Sequence, residues 1–205
     1  MHYSLDPAAT PYAEEVVKKS RFIARLRRVD SQDTFEEFLA SARAADPGAG
    51  HHCFAYVIGD DAESRLERYS DDGEPGGTAG VPILTALKAR GLVNVAAVVS
   101  RYFGGIKLGT GGLARAYSGS VNSALEGVVL VARTRSQVFH LPVDHETAGR
   151  VEAELRRRGF DVTGVEYGRQ AVLTVMCPDA AELEAAVGAV MSGSGHITCV
   201  GQTWR

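Results

Sequence analysis

The stretch from Val95 to Ser118 places the strongest constraint on the fold, because three different patterns follow one another within it. It begins with an unbroken apolar run, Val95–Val99, which predicts a buried strand. A loop rich in glycine comes next, and the chain continues with apolar residues at helical spacing, among them Leu113, Ala116 and Tyr117. The stretch therefore predicts a strand, a glycine-rich loop and the start of a helix in direct succession.

This succession is suited to holding an anion. Glycines allow several backbone N–H groups to turn toward one point, and a helix N-terminus adds partial positive charge there. Arg101, Lys107 and Arg115 place cations beside the loop. We therefore predict a ligand-binding loop, and the alternative that its glycines serve only close packing and left-handed turns stays open. Its predicted ligand-binding residues are Arg101, Tyr102, Gly104, Gly105, Lys107, Gly109, Thr110, Gly111, Gly112 and Arg115.

The loop does not follow either of two well-known phosphate-binding motifs. The P-loop pattern fails because no GK[ST] ends the loop. The dinucleotide fingerprint G-x-G-x-x-A is met by Gly109, Gly111 and Ala114, but eight residues, 101–108, separate it from the strand. No acidic residue stands at a strand end about 20 residues further on. The sequence therefore gives no support to a nucleotide-binding fold of the Rossmann type.

A second stretch concentrates oxygen ligands just before the next predicted helix. Asp71, Asp72 and Glu74 place three carboxylates within four positions, ahead of a glycine-rich turn that contains Thr78. The carboxylates could coordinate Mg²⁺, and they could equally pair with Arg101 or cap the helix that follows. The alternating acids of a calcium-binding EF-hand loop are absent. We add Asp71, Asp72, Glu74 and Thr78 to the predicted ligand-binding set, and assign no metal and no cofactor.

His52 and Cys53 invite comparison with a catalytic base and nucleophile. They lie in a predicted strand, where neighbouring side chains point to opposite faces, so the two groups should diverge. We therefore predict a buried cysteine and a hydrogen-bonded histidine, and name no catalytic residue.

Length, charge and cysteine usage limit the classes of protein that the chain can represent. Its 205 residues suit two domains, and its net charge of -3 gives no overall attraction to nucleic acid or anionic lipid, so such binding needs a local patch. Three cysteines without a CxxC pair indicate reduced thiols. No apolar run is long enough to cross a bilayer, and the first 20 residues are too charged for a signal peptide. We expect a cytoplasmic protein with no membrane partner.

The second half of the chain has a pattern of its own. Polar residues 133–136 separate two periodic regions, which places the domains at residues 1–133 and 137–205. Residues 137–205 read strand, helix, strand, strand, helix, strand, with a hairpin across Gly168 and Arg169. This order is that of the ferredoxin-like βαββαβ fold. The oligomeric state is not indicated.

Several blocks of the sequence resemble those of the IMPACT/YigZ family. The longest are SDDGEPGGTAG at 70–80 and SRYFGGIKLGTGGLARAYS at 100–118. KKSRFI at 18–23 and HCFAY at 52–56 are similar to its earlier blocks. Gly76 stands where the family often has serine, which is a minor departure. Together with the C-terminal region, the resemblance extends over nearly the whole chain.

The resemblance implies an α+β protein of two domains. The N-terminal domain would be an α/β sandwich like the second domain of a small-subunit ribosomal protein, with two helices on a mixed four-stranded sheet. The C-terminal domain would be the ferredoxin-like module found in bacterial members. Eukaryotic relatives restrain a stress-activated translation kinase by competing for its activator protein, and so act by binding and not by chemistry.

Two functions remain open from the sequence. The first is a non-enzymatic binding protein linked to translation or its regulation, which contacts RNA, the ribosome or a regulatory protein through the basic glycine-rich loop. The alternative is a Mg²⁺-dependent enzyme acting on a phosphorylated small molecule or nucleotide, with Asp71, Asp72 and Glu74 holding the metal. No convincing general base adjoins a nucleophile, which favours the first function.

Overall fold

The computed structural model describes residues 2–204, which divide into two compact units with the boundary between residues 133 and 134. The elements of the first unit are β1 (His2–Leu5), β2 (Tyr12–Val17), β3 (Ser20–Arg28), α1 (Gln32–Ala45), β4 (His51–Ile58), β5 (Leu66–Ser70), α2 (Gly80–Ala89), β6 (Val95–Tyr102), α3 (Thr110–Ala124) and β7 (Leu130–Arg133). Those of the second are β8 (Arg135–Val143), α4 (His145–Arg157), β9 (Asp161–Tyr167), β10 (Ala171–Cys177), α5 (Ala180–Val190) and β11 (Thr198–Trp204). The two-domain α+β class is thereby confirmed.

The first unit is built on a five-stranded sheet in the order β2-β3-β6-β4-β5. Helices α2 and α3 cover one face, and α1 covers part of the other. Every pair of neighbouring strands in this sheet is antiparallel. Strands β5 and β6 run parallel to each other, but β4 lies between them. The main sheet therefore has one more strand than the resemblance implies and is not mixed, and the unit has one more helix. A short pair, β1 with β7, completes it.

The central strand β6 explains the unbroken apolar run in the sequence. Val99 and Ala97 belong to the core beneath α2 and α3, whereas Val98 and Ala96 belong to the core beneath α1. Both faces of this strand are therefore buried, so it has no solvent side that would favour polar residues. Because β6 is central, the loop that follows it emerges from the middle of the sheet and not from an edge.

The second unit has the predicted ferredoxin-like order. Its antiparallel sheet runs β11-β8-β10-β9, with α4 and α5 contributing to one core. Alternate residues of β10 are buried, which is typical of a sheet covered on one face only. In the described part of the whole chain, no helix is both long and apolar enough to cross a membrane.

Candidate functional site

Arg101 is buried and points into the protein, in contrast to the predicted role of an anion-facing cation. Arg101 belongs to β6, and only 5% of the residue is exposed. The guanidinium donates through Nη1 to Glu74 Oε1 over 2.6 Å and through Nη2 to Ser20 Oγ over 3.4 Å. Its charge is thus balanced by an internal carboxylate. The sequence had left a pairing between Arg101 and the acidic stretch open, and the structure contains that pairing.

Glu74 also joins the central strand to α3. Its Oε1 accepts a hydrogen bond from the Tyr117 hydroxyl over 2.7 Å, and Cys53 Sγ donates to that hydroxyl over 3.4 Å. Burial raises the pKa of the Cys53 thiol to about 12 and raises that of Tyr117 as well. Both groups therefore stay protonated at neutral pH. The network is suited to holding the loop ends together, and not to nucleophilic attack.

Asp71 caps helix α2 from the preceding loop. Its Oδ1 accepts from the amides of Ala79 and Gly80 over 2.9 and 2.8 Å, and its Oδ2 accepts from the Gly77 amide over 2.8 Å. Burial by itself would raise the pKa of Asp71, but the three amides together lower it. The carboxylate is consequently ionised and engaged with the backbone, which was the capping alternative considered from the sequence.

The three carboxylates that could have shared a magnesium ion are engaged separately. Asp72 Oδ2 accepts from the His52 amide over 2.6 Å, whereas Glu74 faces Arg101 and Asp71 faces the start of α2. The three carboxylates are therefore held by different donors and do not share a coordination site. Among residues 2–204, no group of three or more histidine, cysteine, aspartate or glutamate side chains could hold a metal ion. Thr78 is buried, and its hydroxyl donates to the Pro75 carbonyl over 2.6 Å.

Strand geometry separates two pairs of neighbouring residues. His52 Nδ1 lies 2.9 Å from Ser100 Oγ, while Cys53 faces Tyr117, so the predicted divergence of His52 and Cys53 is confirmed. Tyr102 likewise points away from Arg101, and its hydroxyl donates to Asp46 Oδ1 over 3.4 Å. Tyr102 therefore lies on the opposite face of the sheet from the network around Glu74, and its side chain does not join the loop.

The glycine loop, residues 103–109, packs its first glycine against the turn between β2 and β3. A Cβ on Gly104 would lie 2.0 Å from the Lys19 carbonyl carbon, so only glycine fits at this position. The Gly104 amide donates to Ser20 Oγ over 3.1 Å. This glycine serves close packing, as the scaffold alternative proposed, and it brings the loop and the turn into direct contact.

The turn between β2 and β3 consists of Lys18 and Lys19, which were not among the predicted ligand-binding residues. Both have positive φ, 47° and 66°, in a two-residue hairpin whose usual residues are asparagine and glycine. A residue other than glycine or asparagine loses stability in this region of conformational space. Two lysines in the turn are therefore not explained by the stability of the turn. In the sequence, two lysines stand between two alternating strand patterns. The hairpin was not predicted because neither residue is an asparagine or a glycine.

The N-terminus of α3 carries no side-chain cap. Gly109 occupies the cap position, and the Leu113 amide donates the first intrahelical hydrogen bond, to the Gly109 carbonyl over 2.9 Å. The amides of Thr110, Gly111 and Gly112 precede that bond. Nearby, a cavity of about 220 Å³ is lined by Glu15, Val17, Lys18, Leu108, Gly112, Arg115 and Ala116. Lys18 and Arg115 thus line the same cavity beside the start of the helix.

Four cations lie on this side of the unit, and we call them, with two apolar neighbours, the basic loop surface. Its members are Lys18, Lys19, Lys107, Arg115, Phe103 and Ile106. All are exposed, with Phe103 59% and Ile106 42% exposed. Lys107 lies between Gly104, which contacts Lys19, and Leu108, which lines the cavity with Lys18. Within residues 2–204, none of the four cations forms a salt bridge.

The fold and this surface define a class: a two-domain α+β protein with an exposed cationic loop in its first unit. The family model described as the Impact N-terminal domain matches residues 18–125, and the model for a domain of unknown function, DUF1949, matches residues 141–194. The chain belongs to the IMPACT family.

The relatives extend over most of the chain. IMPACT family member YigZ of Escherichia coli is 40% identical over 198 residues, which are 96% of this chain and 97% of that protein. IMPACT family member YvyE of Bacillus subtilis is 44% identical over 154 residues, 75% of this chain and 70% of that protein. The crystal structure of a hypothetical protein, 38% identical, superposes with a TM-score of 0.74 over 98% of both chains.

Proposed function

We propose that this protein is a non-enzymatic binding protein linked to translation or its regulation, and that it contacts a negatively charged partner through the basic loop surface. The observation that carries the proposal is the set of four exposed cations, Lys18, Lys19, Lys107 and Arg115, which form no salt bridge within the described residues. Because none of these charges has a carboxylate within salt-bridge distance in the protein itself, they remain available to attract an external polyanion.

The proposed contact is local, because the protein as a whole is weakly acidic. With a net charge of -3, the molecule repels a distant polyanion, so binding depends on the cations that face it at short range. The uncapped start of α3 adds partial positive charge next to Arg115. Affinity is therefore expected to fall steeply as salt concentration rises.

The family supports the link with translation. The resemblance found in the sequence includes eukaryotic regulators of a translation kinase that act by binding. Cys53, Cys177 and Cys199 are all free, which is consistent with the reducing compartment in which translation takes place. We therefore also propose a cytoplasmic location and a partner such as RNA, the ribosome or a regulatory protein.

The magnesium-dependent enzyme is the weaker of the two functions considered. Its proposed ligands Asp71 and Glu74 are engaged with the start of α2 and with Arg101. Cys53 is buried, and its raised pKa keeps the thiol protonated. The residues that the alternative needs thus have other physical roles, whereas the cations that a binding function needs are exposed.

Cosedimentation with ribosomes at low salt, together with recovery of RNA from native lysate, tests the proposal. The test variant is Lys18→Glu/Lys107→Glu, and the matched control is Arg68→Glu, an exposed arginine on β5 outside the basic loop surface. We expect the double variant to lose ribosomal or RNA partners and the control to retain them. Equal recovery with both variants and the wild type would contradict the proposed binding surface.

A further inference from the structure

The exposed ring of Phe103 is supported from beneath by a buried cation. The ring is 59% exposed, yet its centroid lies 5.5 Å from the Arg101 guanidinium carbon. That guanidinium is held in place by Glu74, so the cation that contacts the ring is fixed. An aromatic side chain held in this way is presented to solvent in a defined position, although it belongs to a loop.

A second ring completes the support. Phe22, which is fully buried, lies 5.4 Å from the same guanidinium carbon, so Arg101 contacts two aromatic rings, one buried and one exposed. The Nε of Arg101 is buried and has no hydrogen-bond partner among the described residues. This orphaned donor indicates that contact with the rings and the pair with Glu74 determine the position of the guanidinium at the expense of one hydrogen bond.

The surroundings of the ring are cationic. Gly104, the next residue, contacts the Lys19 backbone, and Lys107 lies three positions beyond it in the same loop. Ile106 adds an exposed apolar side chain. A solvent-facing aromatic ring with lysines around it is the arrangement by which proteins bind single strands, because bases stack on the ring and phosphates meet the cations.

Resting on the proposed function, we propose that the partner of the basic loop surface is a single-stranded nucleic acid with one base stacked on Phe103. The flanking phosphates contact Lys18, Lys19 and Lys107. A duplex presents phosphates to the same lysines, but its bases are stacked on each other and leave Phe103 without a contact. An acidic protein would also contact the lysines, but its carboxylates would not account for an aromatic ring beside them.

Fluorescence anisotropy with a labelled uridine 12-mer tests the inference, with a 12-base-pair RNA duplex and a labelled polyglutamate peptide as the other two probes. We expect Phe103→Ala to weaken binding of the 12-mer about 5- to 150-fold, the range for loss of one stacked base, and to leave duplex binding unchanged. Phe103→Trp retains a ring and should bind the 12-mer as the wild type does. Tyr167→Ala, which removes a 67% exposed ring from the second unit, is the matched control.

The outcomes separate this inference from the proposed function. If Lys18→Glu/Lys107→Glu abolishes binding of any probe while Phe103→Ala has no effect on the 12-mer, the stacking inference is overturned and the binding surface stands. Lysine-dependent binding of polyglutamate without binding of RNA would likewise overturn the nucleic-acid partner and indicate an acidic protein. If the lysine variant binds all three probes as the wild type does, the proposed function itself fails. Circular dichroism melting of each variant excludes loss of fold as the cause.

Discussion

Two basic regions of this protein differ in whether their charge is free. Three consecutive arginines, Arg156–Arg158, end helix α4 in the second unit, and all of them pair with acids one turn earlier. Arg156 lies 3.0 Å from Glu152, while Arg157 and Arg158 lie 2.7 and 2.9 Å from Glu154. In the basic loop surface, the four cations come from distant positions, and within the described part of the chain none forms a salt bridge.

The comparison teaches that a run of charge in a sequence is a poor guide to charge available for binding. Spacings of three and four residues place acids and arginines on the same side of a helix, so α4 neutralises its own run. Hydrogen bonds from Arg157 and Arg158 lower the pKa of Glu154 to about 2, and this acid stays ionised across the physiological range. The free charge lies instead where a loop and a hairpin turn meet.

The largest effect is expected on the free energy of unfolding, when the buried cation Arg101 is removed. Arg101→Ala removes one member of a buried pair and leaves Glu74 without compensation, so the free energy of unfolding should fall by about 3–5 kcal/mol. Lys107→Ala, at the exposed end of the same loop, should change it by less than about 0.5 kcal/mol. Urea denaturation measures both. Similar losses for the two variants would contradict the distinction between a structural cation and a binding cation.

An intermediate effect, of opposite sign, is expected in the turn. Lys18→Asn/Lys19→Gly supplies the residues that a turn with two positive φ angles favours, and should raise the free energy of unfolding by about 1 kcal/mol. The same change removes two of the four cations, so binding of a polyanion should weaken. Urea denaturation and anisotropy with the uridine 12-mer measure the two quantities. A turn variant that is more stable and still binds as the wild type does would show that these lysines are not part of the binding surface.

The smallest effect is expected on the salt dependence of binding, and its measurement compares the two basic regions directly. Lys107→Ala should reduce the slope of log affinity for the uridine 12-mer against log salt by about 0.7, the value for one phosphate contact with a single strand. Arg157→Ala should leave the slope unchanged, because that arginine is already paired with Glu154. Anisotropy titrations at four salt concentrations give both slopes. An equal reduction for the two variants would remove the distinction between free and neutralised charge.

Most of the fold could be predicted from local patterns. The apolar run of β6, the helical spacing of α3 and the βαββαβ order of the second unit depend on periodicity, which a sequence displays directly. The third helix of the first unit and the fifth strand of its main sheet were not part of the fold that the resemblance implied. Strand pairing depends on contacts between residues far apart in the chain. In this sheet β5 and β6 are separated by β4, which precedes both in the chain.

The candidate site could be predicted only in part. Lys107 and Arg115 were identified as cations of the loop, and both are exposed. Arg101 was placed in the same group, although its side chain points inward to Glu74. Phe103, Lys18 and Lys19 were missed. The difference arises because alternation along a strand decides the face of a side chain, and a sequence does not reveal which of two faces will be covered.

Local chemistry was enough to establish that this chain forms two domains, that residues 95–118 run from a buried strand through a glycine loop into a helix, and that cations accompany the loop. Folding alone decided which cations are free. It buried Arg101 against Glu74, engaged Asp71 with the start of α2, and used Gly104 to bring the loop against the Lys18–Lys19 turn. The physical reason is that burial and pairing depend on contacts between residues 9 to 85 positions apart in the chain, which no local pattern displays.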